Sequence, residues 1–294
     1  MSGYPVGSAT LAWTGLLRRL LDEHTPIESP RGELTRELLG VSTVLDMRYP
    51  VVNVAARKLG FRFMAAEAAW ILSGDNRVSS IAPYSKEISR FSDDGVWFRG
   101  AYGPPLRDQL PYLLEALTRD RATRQAVATI WRPRPGSSKD VPCTVAVQFL
   151  LRGGSIHCVL TMRSSDAWLG WPYDVFNFSC LAAYVASYYN KLAGACFSLG
   201  TLTLTAGSQH LYHINAEGAR ACLLNPYKAQ VGAHEVLGVP DEPEKFIDHL
   251  WHLASTPDGQ WASGSMSDPD LSPFTSPWLV HTFEEFYGKS TDRA

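Results

Sequence analysis

No uninterrupted apolar run in this 294-residue chain approaches the roughly 18 to 20 residues that a bilayer-spanning helix needs. Residues 1–10 lack the basic-then-apolar pattern of a secretion signal, so a soluble, cytoplasmic protein is expected. Charge is scarce and balanced: 19% of residues are charged, and 27 basic against 29 acidic side chains leave a net charge of −2. That gives no broad electrostatic footprint for nucleic acid or for an anionic membrane. The 5 cysteines, Cys143, Cys158, Cys180, Cys196 and Cys222, are odd in number and dispersed, and none stands in a C-x-x-C pair. A disulfide framework, a zinc knuckle and a dithiol redox pair are thereby excluded, and the thiols are expected to be free. The proline-flanked Cys143 has Ala146 where a zinc nucleobase deaminase needs its second cysteine. The 8 histidines form no H-x-x-x-H pair, so no metal is expected.

What the chain does have is a hydrophobic content of 45%, enough for a sizeable core, with no internal repeat, low-complexity tract or persuasive linker. A single α/β domain over 1–294 follows. Apolar spacing predicts a helix over 13–21, another over 61–72 with Glu67 set among alanines, a third around Leu110 to Leu117, and a long one over 174–192 with Asp174 in its first turn. Strands are expected over 126–131 and 201–205, and a hairpin over 144–151 and 155–162. Prolines and glycines mark 25–32 as a loop holding Arg31, 73–105 as irregular, and 100–105 as an ordered turn presenting Tyr102. The last 70 or so residues read as turns and weak helices.

Cys143 stands at a strand start near several arginines. A thiol so placed is either a nucleophile favoured as thiolate or a small buried hydrophobe. Its surroundings bear on the choice. In order along the chain stand Glu67-x-x-Trp70 followed by Gly74-Asp75, Tyr102-Gly103, Arg124 before Trp131, Pro142-Cys143, Gln148-Phe149, Arg163-Ser164-x-Asp166, Leu169-Gly170-x-Pro172, Gly207, and His210-Leu211-Tyr212. Over 31–212 this series resembles the thymidylate synthase family, which includes the deoxyuridylate and cytidylate hydroxymethylases. Residues 223–294 depart from it.

The resemblance implies an α+β fold, a large mixed sheet flanked by helices, and a homodimer packed sheet to sheet. It implies that Cys143 adds to C6 of a pyrimidine nucleotide, making C5 enamine-like so that it attacks the one-carbon unit of 5,10-methylenetetrahydrofolate. Arg31, Arg124, Arg163 and Ser164 match the phosphate-binding positions, with Arg124 reaching across the dimer. His210 and Tyr212 match the sugar-binding positions, Asp166, Gly170 and Trp171 the folate-binding ones. Glu67 matches the acid that organises water around the base, and Tyr102 the residue that assists loss of the C5 proton. Gln125 departs from the family, which often has a second arginine after Arg124.

Asp174 falls where thymidylate synthases have asparagine, whose amide suits uracil. Cytosine presents the opposite edge, and a carboxylate accepts from N4 while sharing a proton with N3. The resemblance therefore implies a cytidylate 5-hydroxymethylase, in which water rather than hydride quenches the exocyclic methylene. The polar segment 288–294, standing where thymidylate synthases have a short apolar lid, agrees with water entry. Enzymes of this branch that act on CMP occur in nucleoside antibiotic pathways such as that for mildiomycin. The Ala-, Arg- and Gly-rich composition favours CMP over dCMP. Two readings compete: a synthase methylating dUMP or UMP, and an inactive relative that binds nucleotide or RNA.

Overall fold

The computed structural model describes residues 7–29, 32–133, 136–224 and 237–256. Arg31 and the segment 288–294 lie outside the described residues. Helix α1 (Ala9–Asp22) is capped by the Ser8 hydroxyl, which accepts from the Leu11 N–H, and turns Trp13, Leu16, Leu17 and Leu20 inward. Where the loop is expected, Thr25–Glu28 forms an exposed strand, β1. Its Pro26 is tolerated because β1 is an edge strand, with no second neighbour to receive a donor. Strand β2 (Leu34–Asp46) is absent from the sequence reading, and its irregular burial explains why: buried and exposed positions do not alternate along it.

Helix α2 (Phe61–Leu72) has the predicted bounds. A short helix α3 (Val78–Ile81) follows, then α4 (Gly103–Arg119), which starts at the expected tyrosine turn with Tyr102 as N-cap and prolines in its first turn. Strands β3 (Val127–Thr129), β4 (Thr144–Arg152) and β5 (Ser155–Asp166) come next. They lead to α5 (Trp171–Ala193), which Gly194 ends in the left-handed conformation. Strand β6 (Ser198–Tyr212) and helices α6 (Ala216–Leu224) and α7 (Pro243–Ser255) complete the described chain. Both β5 and β6 extend well beyond their predicted ends.

The strands form one mixed sheet in the order β1-β2-β6-β5-β4-β3, antiparallel throughout except for the β5–β6 pair, which α5 connects. This is a thymidylate synthase-like α/β architecture. Val147, Phe149, Ile156, Cys158, Leu160, Leu202 and Leu204 are buried on one face, the face on which α5 packs. Opposite them, Val44, Thr161 and Thr201 are exposed and Leu150, His157 and Val159 only half-buried.

Near one end the burial alternation changes phase on neighbouring strands at once. In β5 it passes from Met162 to Ser165, and in β6 from Ala206 to Gln209. Gly40 of β2, at φ 62°, lies at the same level, between the Leu39–Ser208 and Val41–Ala206 pairs. A Cβ on Gly207 would come within 3.1 Å of the Arg163 carbonyl, so the strands approach closely at a glycine. Beyond this bend Ser164, Asp166, His210 and Tyr212 are half-buried instead of sealed in the core. The site is built around them.

Candidate active site

Cys143 immediately precedes β4 and is half-buried. Arg163 of β5 fixes its loop: the Arg163 N–H donates to the Cys143 carbonyl at 2.8 Å, Nε to the Pro142 carbonyl at 2.9 Å and Nη2 to the Val141 carbonyl at 3.0 Å. The same Nη2 lies 3.8 Å from Cys143 Sγ. A thiol held beside a fixed guanidinium is favoured as thiolate, the nucleophilic form.

The thiol opens on a cavity of about 180 Å³, whose lining includes Glu67, Trp70, Tyr102, Asp174 and Asn177. A larger groove, of about 520 Å³, is lined by residues such as Leu106, Leu110, Leu181 and Tyr184, with no cysteine among them. The chemistry lies in the smaller one. Glu67 and Trp70, three apart on α2, both reach it, as do Asp174 and Asn177, three apart on α5. Glu67 Oε2 accepts from Asn177 Nδ2 at 2.8 Å. Burial pushes the Glu67 carboxyl up to about 7, against the opposing effect of that bond.

Asp174 is held well above the usual carboxylate range by burial first, then by the nearby Glu67 and Asp166. The Asp174 N–H donates to the Gly170 carbonyl at 2.9 Å, and a Cβ at residue 170 would sit 3.2 Å from Asp174 Oδ2. The glycine of Leu169-Gly170-x-Pro172 thus keeps space beside the carboxyl. Tyr102 is raised well above its ordinary value by burial, then by Asp174 and Cys143, with Thr144 hydrogen-bonding in the opposite sense. Its ring lies 6.0 Å from that of Phe178.

At the bent end of the sheet, His210 Nδ1 stands 3.4 Å from Ser164 Oγ, and the His210 and Tyr212 rings meet edge to face at 5.4 Å. Asp166, paired with His210 in register, accepts from the Trp168 N–H at 2.7 Å and the Leu169 N–H at 3.0 Å. Burial raises its pKa, while those N–H groups, His210 and Arg57 pull the other way. The Arg57 guanidinium lies 4.5 Å from the centre of the Trp168 ring. Trp171, expected at the folate position, is fully buried and donates to Thr43 Oγ1 at 3.2 Å, whereas Trp168 is half-buried and meets Asp166 through its backbone N–H. The Asp166 carboxylate, beside the half-exposed Leu169, offers a hydrogen-bond acceptor next to open apolar surface.

Arg124 is exposed in the turn three residues before β3 and is not among the residues lining this cavity, its carbonyl accepting from Gln148 Nε2 at 2.7 Å. Gln125 Oε1 accepts from Arg119 Nη2 at 3.3 Å. Asn177, Trp168 and Arg57 are absent from the sequence reading of the site. The signal for Asn177 was available, since it stands one helical turn beyond Asp174 on the same face. Trp168 and Arg57 meet only through the fold. Among the described residues, no helix is long and apolar enough to cross a membrane.

A half-buried thiol sharing a cavity with two carboxyls and a half-buried tyrosine, with a separate acid nearby on the same mixed sheet, is a constellation suited to group transfer. A family model described as thymidylate synthase matches residues 12–232, and the chain belongs to that family. It is similar to the deoxyuridylate hydroxymethyltransferase of Bacillus phage SP01, being 27% identical over 233 residues, which cover 68% of this chain and 60% of the phage protein. The chain thus spans less than two thirds of the length of that relative.

Proposed function

We propose that this protein is a folate-dependent 5-hydroxymethyltransferase acting on a cytidine monophosphate, CMP ahead of dCMP. The observation that carries the reading is Asp174, a carboxyl whose hold on its proton is strengthened by desolvation, in the same cavity as Cys143. When Cys143 attacks C6, an electron pair moves onto the N3–C4 edge of the ring. In uracil that pair lands on O4, which an amide N–H can stabilise by hydrogen bonding. In cytosine it lands on N3, which needs a proton. A carboxyl that arrives protonated gives its proton to N3 and accepts from the N4 amino group with its other oxygen.

The co-substrate 5,10-methylenetetrahydrofolate supplies the one-carbon unit when bound, with Asp166 accepting from its pterin. Arg163, Ser164 and Arg31 bind the nucleotide phosphate, and His210 and Tyr212 the sugar. Tyr102 passes the C5 proton to water. Glu67, near its own midpoint at neutral pH, can both take and return a proton in the later steps. The hydroxymethyl outcome finds support in the activity named for the phage relative.

The reading includes a homodimer that covers the exposed face of the sheet and brings Arg124 of one protomer to the phosphate site of the other. In support, Val44 is 54% exposed on that face and Arg124 stands outside the cavity of its own protomer.

The test is tritium release from C5-labelled CMP, dCMP, UMP and dUMP with methylenetetrahydrofolate, the products being weighed by mass spectrometry. Release from a cytidylate with gain of CH₂O supports the reading, and the comparison of CMP with dCMP gives the sugar. A second reading, action on deoxyuridylate, draws on the substrate named for the phage relative. Release from dUMP alone would establish it and overturn the assignment of Asp174.

A further inference from the structure

Asn177 is 4% exposed, and only half of its amide is used: Nδ2 donates to Glu67, while Oδ1 has no hydrogen-bond partner among the described residues. Trp70 is 5% exposed, and its indole N–H is likewise unpartnered among those residues. Both side chains line the Cys143 cavity together with Glu67. A buried acceptor and a buried donor left open at the wall of one cavity are costly, by roughly 1 to 3 kcal/mol each, unless something fills them. A water molecule needs two to four polar partners and little room, and about 180 Å³ is ample.

We infer that Asn177 and Trp70 hold, with Glu67, the water molecule that attacks the exocyclic methylene, and so decide that the product is hydroxymethyl. The inference rests on the proposed hydroxymethylation. Trp70 Nε1–H donates to the water oxygen, and the water donates its two protons to Asn177 Oδ1 and the free oxygen of Glu67. The oxygen then forms a bond to the methylene carbon, the π pair of C5=CH₂ moves into the C4–C5 bond, and the C4=N3 pair moves onto N3, from which it returns when the thiolate leaves. One water proton passes to Glu67. The pair then re-forms C5=C6 as the C6–S bond breaks, returning the thiolate to Cys143. Water supplies the oxygen and the hydroxyl hydrogen, the folate has already supplied the CH₂, the C5 proton has left, and nothing is oxidised or reduced. Because Asn177 also grips Glu67, the acceptor of the proton and the nucleophile are oriented by one amide.

Such a positioning role acts after the C5 proton has left, and this fixes the experiment. In one reaction of the purified full chain with the cytidylate, tritium release counts turnovers past C5 deprotonation, while mass spectrometry counts hydroxymethyl product. Their ratio is independent of the fraction of protein that is folded. Wild type is expected to give one product per tritium released. Asn177→Leu, close in volume and without hydrogen-bonding atoms, is expected to lower the ratio about tenfold. The deficit should appear as methylated nucleotide or as a covalent protein–nucleotide adduct. Trp70→Phe is a milder change and is expected to shift the ratio the same way by a smaller factor. A ratio that stays at one in both variants, whatever happens to the rates, overturns the inference. Wild type giving only CH₂ gain would instead sink the proposed function on which it stands.

Discussion

Asp174 illustrates how one side chain can set both base choice and pH response. Its folded-state pKa lies well above the ordinary carboxylate value, so the proton-donating form persists to higher pH than in a free carboxyl and is lost as pH rises through the raised value. Activity on the cytidylate is therefore expected to fall on the alkaline side of the profile. Asp174→Asn should remove that limb, because an amide does not titrate. It should also reverse the preference toward the uridine nucleotide by roughly tenfold or more, since discrimination by one hydrogen-bonded edge is worth about 1–3 kcal/mol. Parallel pH profiles of kcat/KM on both bases check this, and an alkaline limb that survives in the variant would assign it to another group. The identity of Asp174 was legible in the sequence, as were Cys143 and Glu67, because motif spacing specifies them. Its raised pKa was not, because that depends first on burial and then on Glu67 and Asp166, which the fold brings close from 107 positions upstream and 8 upstream.

At the level of elements, the site depends on helix starts. Tyr102 caps α4, and a Cβ at Gly103 would stand 2.8 Å from the Asp75 carbonyl and 3.0 Å from that of Ile71. Gly103 thus lets the first turn of α4 seat against the end of α2, the helix that carries Glu67. Gly103→Ala must push the two apart by several tenths of an ångström. We expect a loss of about 1–3 kcal/mol in stability, by the cost of overpacking a tight contact. Tritium release should drop by more than the folded fraction explains, since Tyr102 and Glu67 are displaced relative to each other. Thermal denaturation alongside the release assay tests both halves, and unchanged release in folded protein would show that the helix start is not what places Tyr102. Helices were the legible part of the fold: α2 is a run of apolar residues broken only by Arg62 and Glu67, and emerges with its expected bounds. Strand β2, and the far halves of β5 and β6, were not. The bend at Gly40, Arg163 and Gly207 breaks the two-residue period on which strand recognition relies, and those are the stretches that carry Arg163, Ser164, Asp166, His210 and Tyr212.

The whole molecule pays for its acidic cavity in stability, and pH reveals how much. Glu67 has a folded pKa raised from 4.5 to about 7, so the folded state holds a proton that the unfolded chain releases. Stability from this group is complete below pH 4.5 and declines until about pH 7. Glu67→Gln should flatten that decline and stabilise the protein near pH 8 by on the order of 1 kcal/mol, read as a higher Tm in the absence of nucleotide. A decline unchanged in Glu67→Gln would place the linkage elsewhere. Assembly supplies the other test at this scale. In a two-fold dimer whose sites draw Cys143 from one protomer and Arg124 from the other, each single defect, Cys143→Ala or Arg124→Glu, disables both sites of its own homodimer. In a mixed dimer the two defects fall in the same site, and the second site has both residues intact. Random exchange makes about half of the dimers mixed, so unfolding and refolding the two inactive variants together should restore about a quarter of wild-type turnover. Restoration requires both the dimer and the crossing of Arg124. Sedimentation equilibrium separates the two: a dimer without restored activity means that Arg124 serves its own protomer, and a monomer means that the exposed face of the sheet is covered by something other than a second copy.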